Sequence, residues 1–232
     1  IHHPLSKVGV DHVQLGNYAV TPQSTVCNLG VHLDGQLTMK VHVQRICQTS
    51  FYQLRQLRSV RRSLSVNACT ALVHAFVTSR LDYCNSLLAG IGDGLIDQLQ
   101  TVMRVAARLV LRKRKFDPIS AEIRDRLHWL PIRSRIDFKL GLLVYKCLHG
   151  IAPAYLTEML VLKSTVPALS RLRSTARGDL LVPRTKTKTI GPRSFATSGP
   201  ALWNNLPDDL RDPSLSLTVF KQRLKSYLFK QC

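Results

Sequence analysis

The most constraining feature of this chain is a double stripe between Leu95 and Lys115. Leu95, Leu99, Val102, Met103, Ala106 and Val110 recur at helical spacing, while Arg104, Arg108, Arg112 and Lys115 recur at spacings of 4, 4 and 3. At about 100° per residue the centres of the two stripes fall on nearly opposite sides of one helix. One side is built to pack and the other presents cations, with Lys113 and Arg114 added at its end. Like charges four residues apart destabilise an isolated helix. The only acid on that side, Asp97, lies too far back to relieve them.

Two neighbouring segments repeat the pattern. Lys40 to Val60 carries Val43, Cys47, Phe51 and Leu54 as an apolar face and ends in Arg55, Arg58, Arg61 and Arg62. Ile132 to His149 turns Ile136, Leu140, Leu143, Val144 and Cys147 inward, with Arg135, Lys139 and Lys146 on another face, and Gly150 is predicted to end it. Between them, Ser65 is a predicted N-cap for a helix carrying Val73, Phe76, Val77, Leu81, Cys84 and Leu88 and stopping at Gly90. Pro118 is predicted to break the Leu95 helix. A short helix over Ser120 to Leu127 and a corner at His128-Trp129-Leu130-Pro131 follow.

Charge now matters. The chain has 33 Lys+Arg against 14 Asp+Glu, a net of +19. Residues 1–38 hold 1 basic and 2 acidic residues, whereas residues 39–150 hold 19 and 7. An excess of this size points to a polyanion, and nucleic acid is the commonest one. A ribosome-like or secreted basic protein, or a piece whose acidic neighbours are missing, would share it. With 45% apolar residues the chain has the means to fold.

The flanks read differently. Residues 1–38 are β-rich, with β runs over Val10 to Gly16 and Ser24 to Gly35 and turns predicted at Gly16-Asn17 and Asp34-Gly35; so few short strands need a further sheet or the helices for support. After Pro153 come a short helix (Ala154 to Leu162), a polar linker (Lys163 to Gly178), two basic strands over Leu180 to Phe195, a turn-rich knot around Trp203 and a helix from Leu215 to Phe229. The fold class is therefore mainly α, with a small β-rich N-terminal segment and a small α+β C-terminal tail. The divisions fall at 1–38, 39–150, 151–178 and 179–232.

Chemistry is hard to place on this chain. The six cysteines (Cys27, Cys47, Cys69, Cys84, Cys147, Cys232) are scattered and form no metal-binding pair; they read as reduced, which fits an intracellular protein, nuclear or cytoplasmic. Asp208-Asp209 is the only adjacent acidic pair, and its place after Pro207 suits a turn. No nucleophile elbow and no phosphate-binding glycine loop is present. No catalytic or metal-ligating residue is assigned, and no apolar run has the roughly 18 to 20 residues of a membrane span.

Several phrases in order carry a resemblance: NLGVHLDGQLTMKVHV (Asn28 to Val43), SRLDYCNSLLAG (Ser79 to Gly90), AARLVLRKRKFDPIS (Ala106 to Ser120) and LHWLPIRSRIDFKL (Leu127 to Leu140). With RSTARGDLLVPRTKTKTIGPRSFATSGPALWNNLPDDLR (Arg173 to Arg211) and FKQRLKSYLF (Phe220 to Phe229), they resemble the part of a non-LTR, LINE-type (jockey-like) retrotransposon reverse transcriptase that follows the catalytic palm. The resemblance implies that residues 1–38 are a palm remnant and residues 39–150 a helical, thumb-like bundle holding a template–product duplex.

The parent is an RNA-directed DNA polymerase using Mg²⁺. This chain lacks the palm aspartates, so no cofactor is expected in it and no polymerisation by itself. Its first residue is Ile, and a piece of a longer protein is the expectation, with the palm and fingers of the parent as missing partners. The expected contacts are backbone contacts to RNA, DNA or their hybrid through Arg55, Arg58, Arg61, Arg62, Arg104, Arg108, Arg112, Lys113, Arg114, Lys115, Arg135, Lys139 and Lys146. The alternative is a helical protein-interaction module whose charge is incidental. An enzyme of another kind is the least supported reading.

Overall fold

The computed structural model describes residues 12–167 and 177–231. Part of the predicted linker, residues 168–176, therefore lies outside the described residues, as do Val10 and Asp11 of the first predicted β run. The chain divides into two compact units, one ending at His42 and one beginning at Val43. Mainly α is the class observed, and among the described residues four short strands occur, all in the first unit.

In the first unit, β1 (Val13–Leu15) and β2 (Tyr18–Val20) pair antiparallel across the predicted Gly16-Asn17 turn. The second β run folds on itself: β3 (Thr25–Asn28) pairs with β4 (Val31–Asp34) around Leu29 and Gly30, both at positive φ. Asp34 does more than close that hairpin. Its carboxylate accepts from the backbone N–H groups of Gln36, Thr38 and Met39 and from the Thr38 hydroxyl, so it organises the turn that leads into the first helix.

Helix α1 (Lys40–Val60) opens the helical series. Its buried face runs through Val43, Ile46, Ser50, Leu54 and Leu57. That differs from the stripe read from sequence: Cys47 is half-buried and Phe51 is 38% exposed, because both lie at the edge of the packed face. Helix α2 (Val66–Val73) begins where predicted, with the Ser65 hydroxyl accepting from Ala68 N.

The predicted helix to Gly90 is shorter. A five-residue π turn, His74–Thr78, leads into α3 (Ser79–Asp82), after which Tyr83 is extended and Cys84 left-handed. The wider turn rotates the later residues, which buries Val77 and Leu81 and leaves Phe76 exposed.

Helix α4 (Asp93–Leu111) buries Leu99, Val102, Met103, Ala106 and Val110, as its stripe predicts, and also Ile96, Ala107 and Leu109. It packs on α2, on α5 (Ser120–Asp125) and on α6 (Ile132–Leu148). Trp129, at the predicted corner, is buried with its ring edge toward His74 at 5.3 Å. Gly150, at φ +67, ends α6 by sending its own N–H to Cys147 O and the N–H of Ile151 to Lys146 O. Glycine suits such a left-handed stop.

The C-terminal tail is helical, and the predicted strands over Leu180 to Phe195 do not form. Leu180 makes one antiparallel bridge with Leu162, and the Asn204 amide bonds both its N–H and its C=O at 2.8 Å. The Lys and Thr side chains that follow are exposed, so no apolar face exists to hold a strand. The predicted knot around Trp203 is instead helix α8 (Phe195–Asn204), which continues through Pro200.

Packing overrides local preference here. Gly199 lets α8 approach α6 until a Cβ would sit 3.0 Å from Val144. Helix α9 (Leu217–Lys230) approaches α6 at Gly141, where a Cβ would meet Leu224 at 3.1 Å. Trp203, Phe220, Leu224 and Leu228 close the core around Val144 and Tyr145. A four-residue helix, α7 (Ala154–Thr157), replaces the longer one predicted to Leu162.

A polar cluster ties this tail together. Asp179 accepts from Lys163 Nζ at 3.0 Å and from Arg211 Nη1 at 2.6 Å, and Arg211 also bonds Asp208. Burial pushes the Asp179 carboxyl up, but Lys163 and Arg211 outweigh it and hold it below the ordinary carboxylate range. A carboxylate depressed by folding adds stability above its unfolded value, and that stability is lost as pH falls toward the folded value. Urea midpoints should therefore fall on acidification through the carboxylate range. Asp179→Asn should cost about 1–3 kcal/mol at neutral pH by removing the charged acceptor that Lys163 and Arg211 share, and should flatten that part of the acid loss.

Candidate nucleic-acid interface

The site is built at the end of α4. That helix stops at Leu111, well before Pro118, because Arg112 turns left-handed at φ +54. Lys113 N then bonds Arg108 O at 2.9 Å and Arg112 N reaches Leu109 O at 3.5 Å, the same helix stop that Gly150 makes on α6. An arginine in that conformation gives no sequence signal, so the stripe reads on through Lys115.

Two carbonyls at this stop, of Leu109 and Val110, are bonded from the turn that follows α1. Arg61 is buried, 6% exposed. Its Nε donates to Leu109 O, its Nη2 to Val110 O and its Nη1 to Leu64 O, each at 2.8 Å. The planar five-donor guanidinium suits this fork, and its charge lies at the negative end of the α4 dipole. No carboxylate pairs with it among the described residues. Arg112 adds a longer bond to the same Leu64 carbonyl, 3.4 Å.

The clamp sets the last turns of α1 beside the end of α4 and opens a cleft of about 750 Å³ between them. Arg55, Arg58 and Arg62 line it from the α1 side, and Arg108, Arg112, Lys113 and Lys115 from the α4 side; Phe51, Leu54, Val105 and Leu109 are the apolar walls. Among the described residues no acid lines it. Arg55, Arg58, Arg62, Arg112 and Lys115 are exposed. Arg108 is partly spent on Asp117 O, at 3.0 and 3.3 Å, and Lys113 is paired with Glu122 at 2.7 Å. Arg114 is exposed on the turn that follows α4.

The remaining predicted contacts scatter. Arg61 is a structural cation, since all its bonds go inward. Arg135 is another: its Nε donates to Leu130 O at 2.8 Å and its Nη1 to both Asp82 oxygens, with a side chain 14% exposed. Arg104 lines a different depression, with Asp97 and Arg133. Lys139 lines a third beside Asp82, Asn85 and Lys225, and Lys146 is half-buried on α6. Phe51 is the wall residue that the sequence assigns wrongly to the core.

Nothing in or near the cleft is arranged for covalent chemistry. Burial pushes the Cys69 thiol up, although Arg61 and Arg112 pull it down, so it remains a thiol at neutral pH. Among the described residues no group of three or more His, Cys, Asp or Glu is placed to hold a metal. The adjacent acids do not fit a two-metal clamp either, because Asp208 is engaged by Arg211. Among the described residues no helix is long and apolar enough to cross a membrane. Comparison of the chain with protein-family models, curated proteins and solved structures finds no match.

Arg61→Met should remove the three short bonds, leaving Leu109 O and Leu64 O only the longer ones from Arg112, and cost about 3 kcal/mol in urea unfolding, and Arg61→Lys should restore little of it. Arg58→Met should stay within about 0.5 kcal/mol of the parent chain. Arg112→Gly relieves a left-handed non-glycine residue, so it should preserve or raise stability by up to about 1 kcal/mol.

Proposed function

We propose that this chain binds the sugar–phosphate backbone of nucleic acid in the cleft between α1 and α4, without catalysing a reaction. The cleft carries the reading: the ends of two helices and the turns that follow them bring seven cations besides buried Arg61 to one concavity, five of them exposed, with no acid among the described residues of its lining. A solvated protein surface mixes signs. Clustered cations without acids repel one another unless an anion is bound, and phosphates spaced along a strand meet that need. The donors are flexible Arg and Lys side chains, which contact phosphate and carry no sequence readout.

In this reading the chain is the thumb and tail of a LINE-type reverse transcriptase, the family its phrases resemble, and the palm and fingers of the parent supply the chemistry. The helical bundle supports that assignment in class only; the cleft supports the binding activity independently of ancestry.

Fluorescence anisotropy with a labelled RNA–DNA hybrid tests it. Log affinity should fall linearly with log salt, and Arg55→Gln, Arg58→Gln and Arg62→Gln together should reduce the slope by roughly 2 to 3, at about 0.9 per duplex phosphate contact. Arg104→Gln with Lys139→Gln should leave the slope nearly unchanged. Equal effects from the two sets, or no binding at low salt, would contradict the proposal. Nucleotide incorporation by the pure chain with Mg²⁺ would contradict its non-catalytic part.

A further inference from the structure

The turn that follows α4 carries a feature that backbone binding alone leaves unexplained. Four consecutive cations, Arg112 to Lys115, are followed by Phe116, whose ring is 87% exposed. Lys115 Nζ lies 5.2 Å from the centre of that ring, and Lys115 lines the cleft. Phe51, 38% exposed, lines the cleft from the other helix. A benzyl ring held in water is unfavourable by its apolar area, and a cation-rich turn is a poor anchor for an apolar protein groove, since the groove would have to strip water from the charges.

The turn is also held in place. Asp117 Oδ2 accepts from Arg114 N at 2.8 Å, Asp117 N donates to Arg114 O at 3.3 Å, and the Arg108 guanidinium grips Asp117 O. Phe116 therefore sits on a short turn braced on both sides, where it is presented with little further ordering cost on binding.

We infer that the cleft takes a single-stranded segment of nucleic acid, with its phosphates on the cations of α1 and α4 and unstacked bases on Phe116 and Phe51. This inference rests on the nucleic-acid reading of the cleft and deepens it. In a duplex the bases are stacked on each other and their faces are unavailable to a side chain at the flank, so exposed rings contribute nothing there. In a single strand every base offers a face, and a basic groove with aromatic platforms is the arrangement that binds it regardless of sequence.

The experiment compares a labelled oligothymidylate with a blunt DNA duplex of equal length, using the full chain, Phe116→Ala, Phe116→Trp and Phe51→Ala at two salt concentrations. The single strand should bind more tightly than the duplex. Phe116→Ala should weaken the single strand by roughly 5- to 150-fold, the range for one base–aromatic stack, with the salt slope unchanged and the duplex affected little. Phe116→Trp should restore binding. Salt-dependent binding of both ligands with no effect of Phe116→Ala would overturn the inference and leave backbone binding standing. An equal loss on both ligands would overturn it too, and failure of both to bind would remove the nucleic-acid reading with it.

Discussion

Three short hydrogen bonds from one buried guanidinium hold the two walls of the basic cleft together. Arg61 closes the open carbonyl end of α4 while it belongs to the turn that follows α1. A lysine has neither the reach to three carbonyls nor the planar fork, and an apolar residue would remove all three short bonds. Because the donor and the acceptors lie nearly fifty residues apart, this local bonding problem fixes a long-range geometry. The two basic faces become the two walls of one cleft, and the cation between them is taken up by the backbone.

The opposite side of the second unit is held by apolar contact. Helix α6 packs on α4, α8 and α9, and two glycines, Gly141 and Gly199, set how closely its neighbours come. Stacking of Tyr145 on Phe220, with ring centres 4.4 Å apart, and the bond from the Tyr145 hydroxyl to Leu215 O tie α9 and the residues leading into it to the last turn of α6. The Asp179–Arg211–Lys163 cluster then closes the edge where the tail meets the segment after α7. The basic cleft thus belongs to a unit with its own core, so its side chains project from braced helices.

The helical class, the buried stripe of α4, the Ser65 cap, the Gly16-Asn17 hairpin and the Gly150 stop were all legible in the sequence, because each has a local chemical signature. What escaped was set by tertiary bonding. An arginine at a left-handed stop looks like one more member of a basic stripe, and Arg61 and Arg135 look no different from exposed Arg58 until their carbonyl and carboxylate partners are seen. Gly199-Pro200 reads as a turn, yet close packing on Val144 makes it helix. The β reading of Leu180 to Phe195 failed because alternation of Lys with Thr has no apolar side to bury. Phe51 fits a helical stripe by spacing, while its real position lies at the rim where α1 leaves the core. The assignment to a reverse transcriptase rests on the resemblance of the phrases, and the cleft is the physical reason to connect it with nucleic acid.

The most direct test of the central claim is to locate the contact rather than to weigh it. Lysine acetylation read by mass spectrometry, with and without a saturating RNA–DNA hybrid, compares Lys115 in the cleft with Lys139 and Lys225 in the depression beside Asp82. The account predicts strong protection of Lys115 and little change at Lys139 and Lys225. Protection of Lys139 and Lys225 with Lys115 left reactive would place the nucleic acid elsewhere and contradict it.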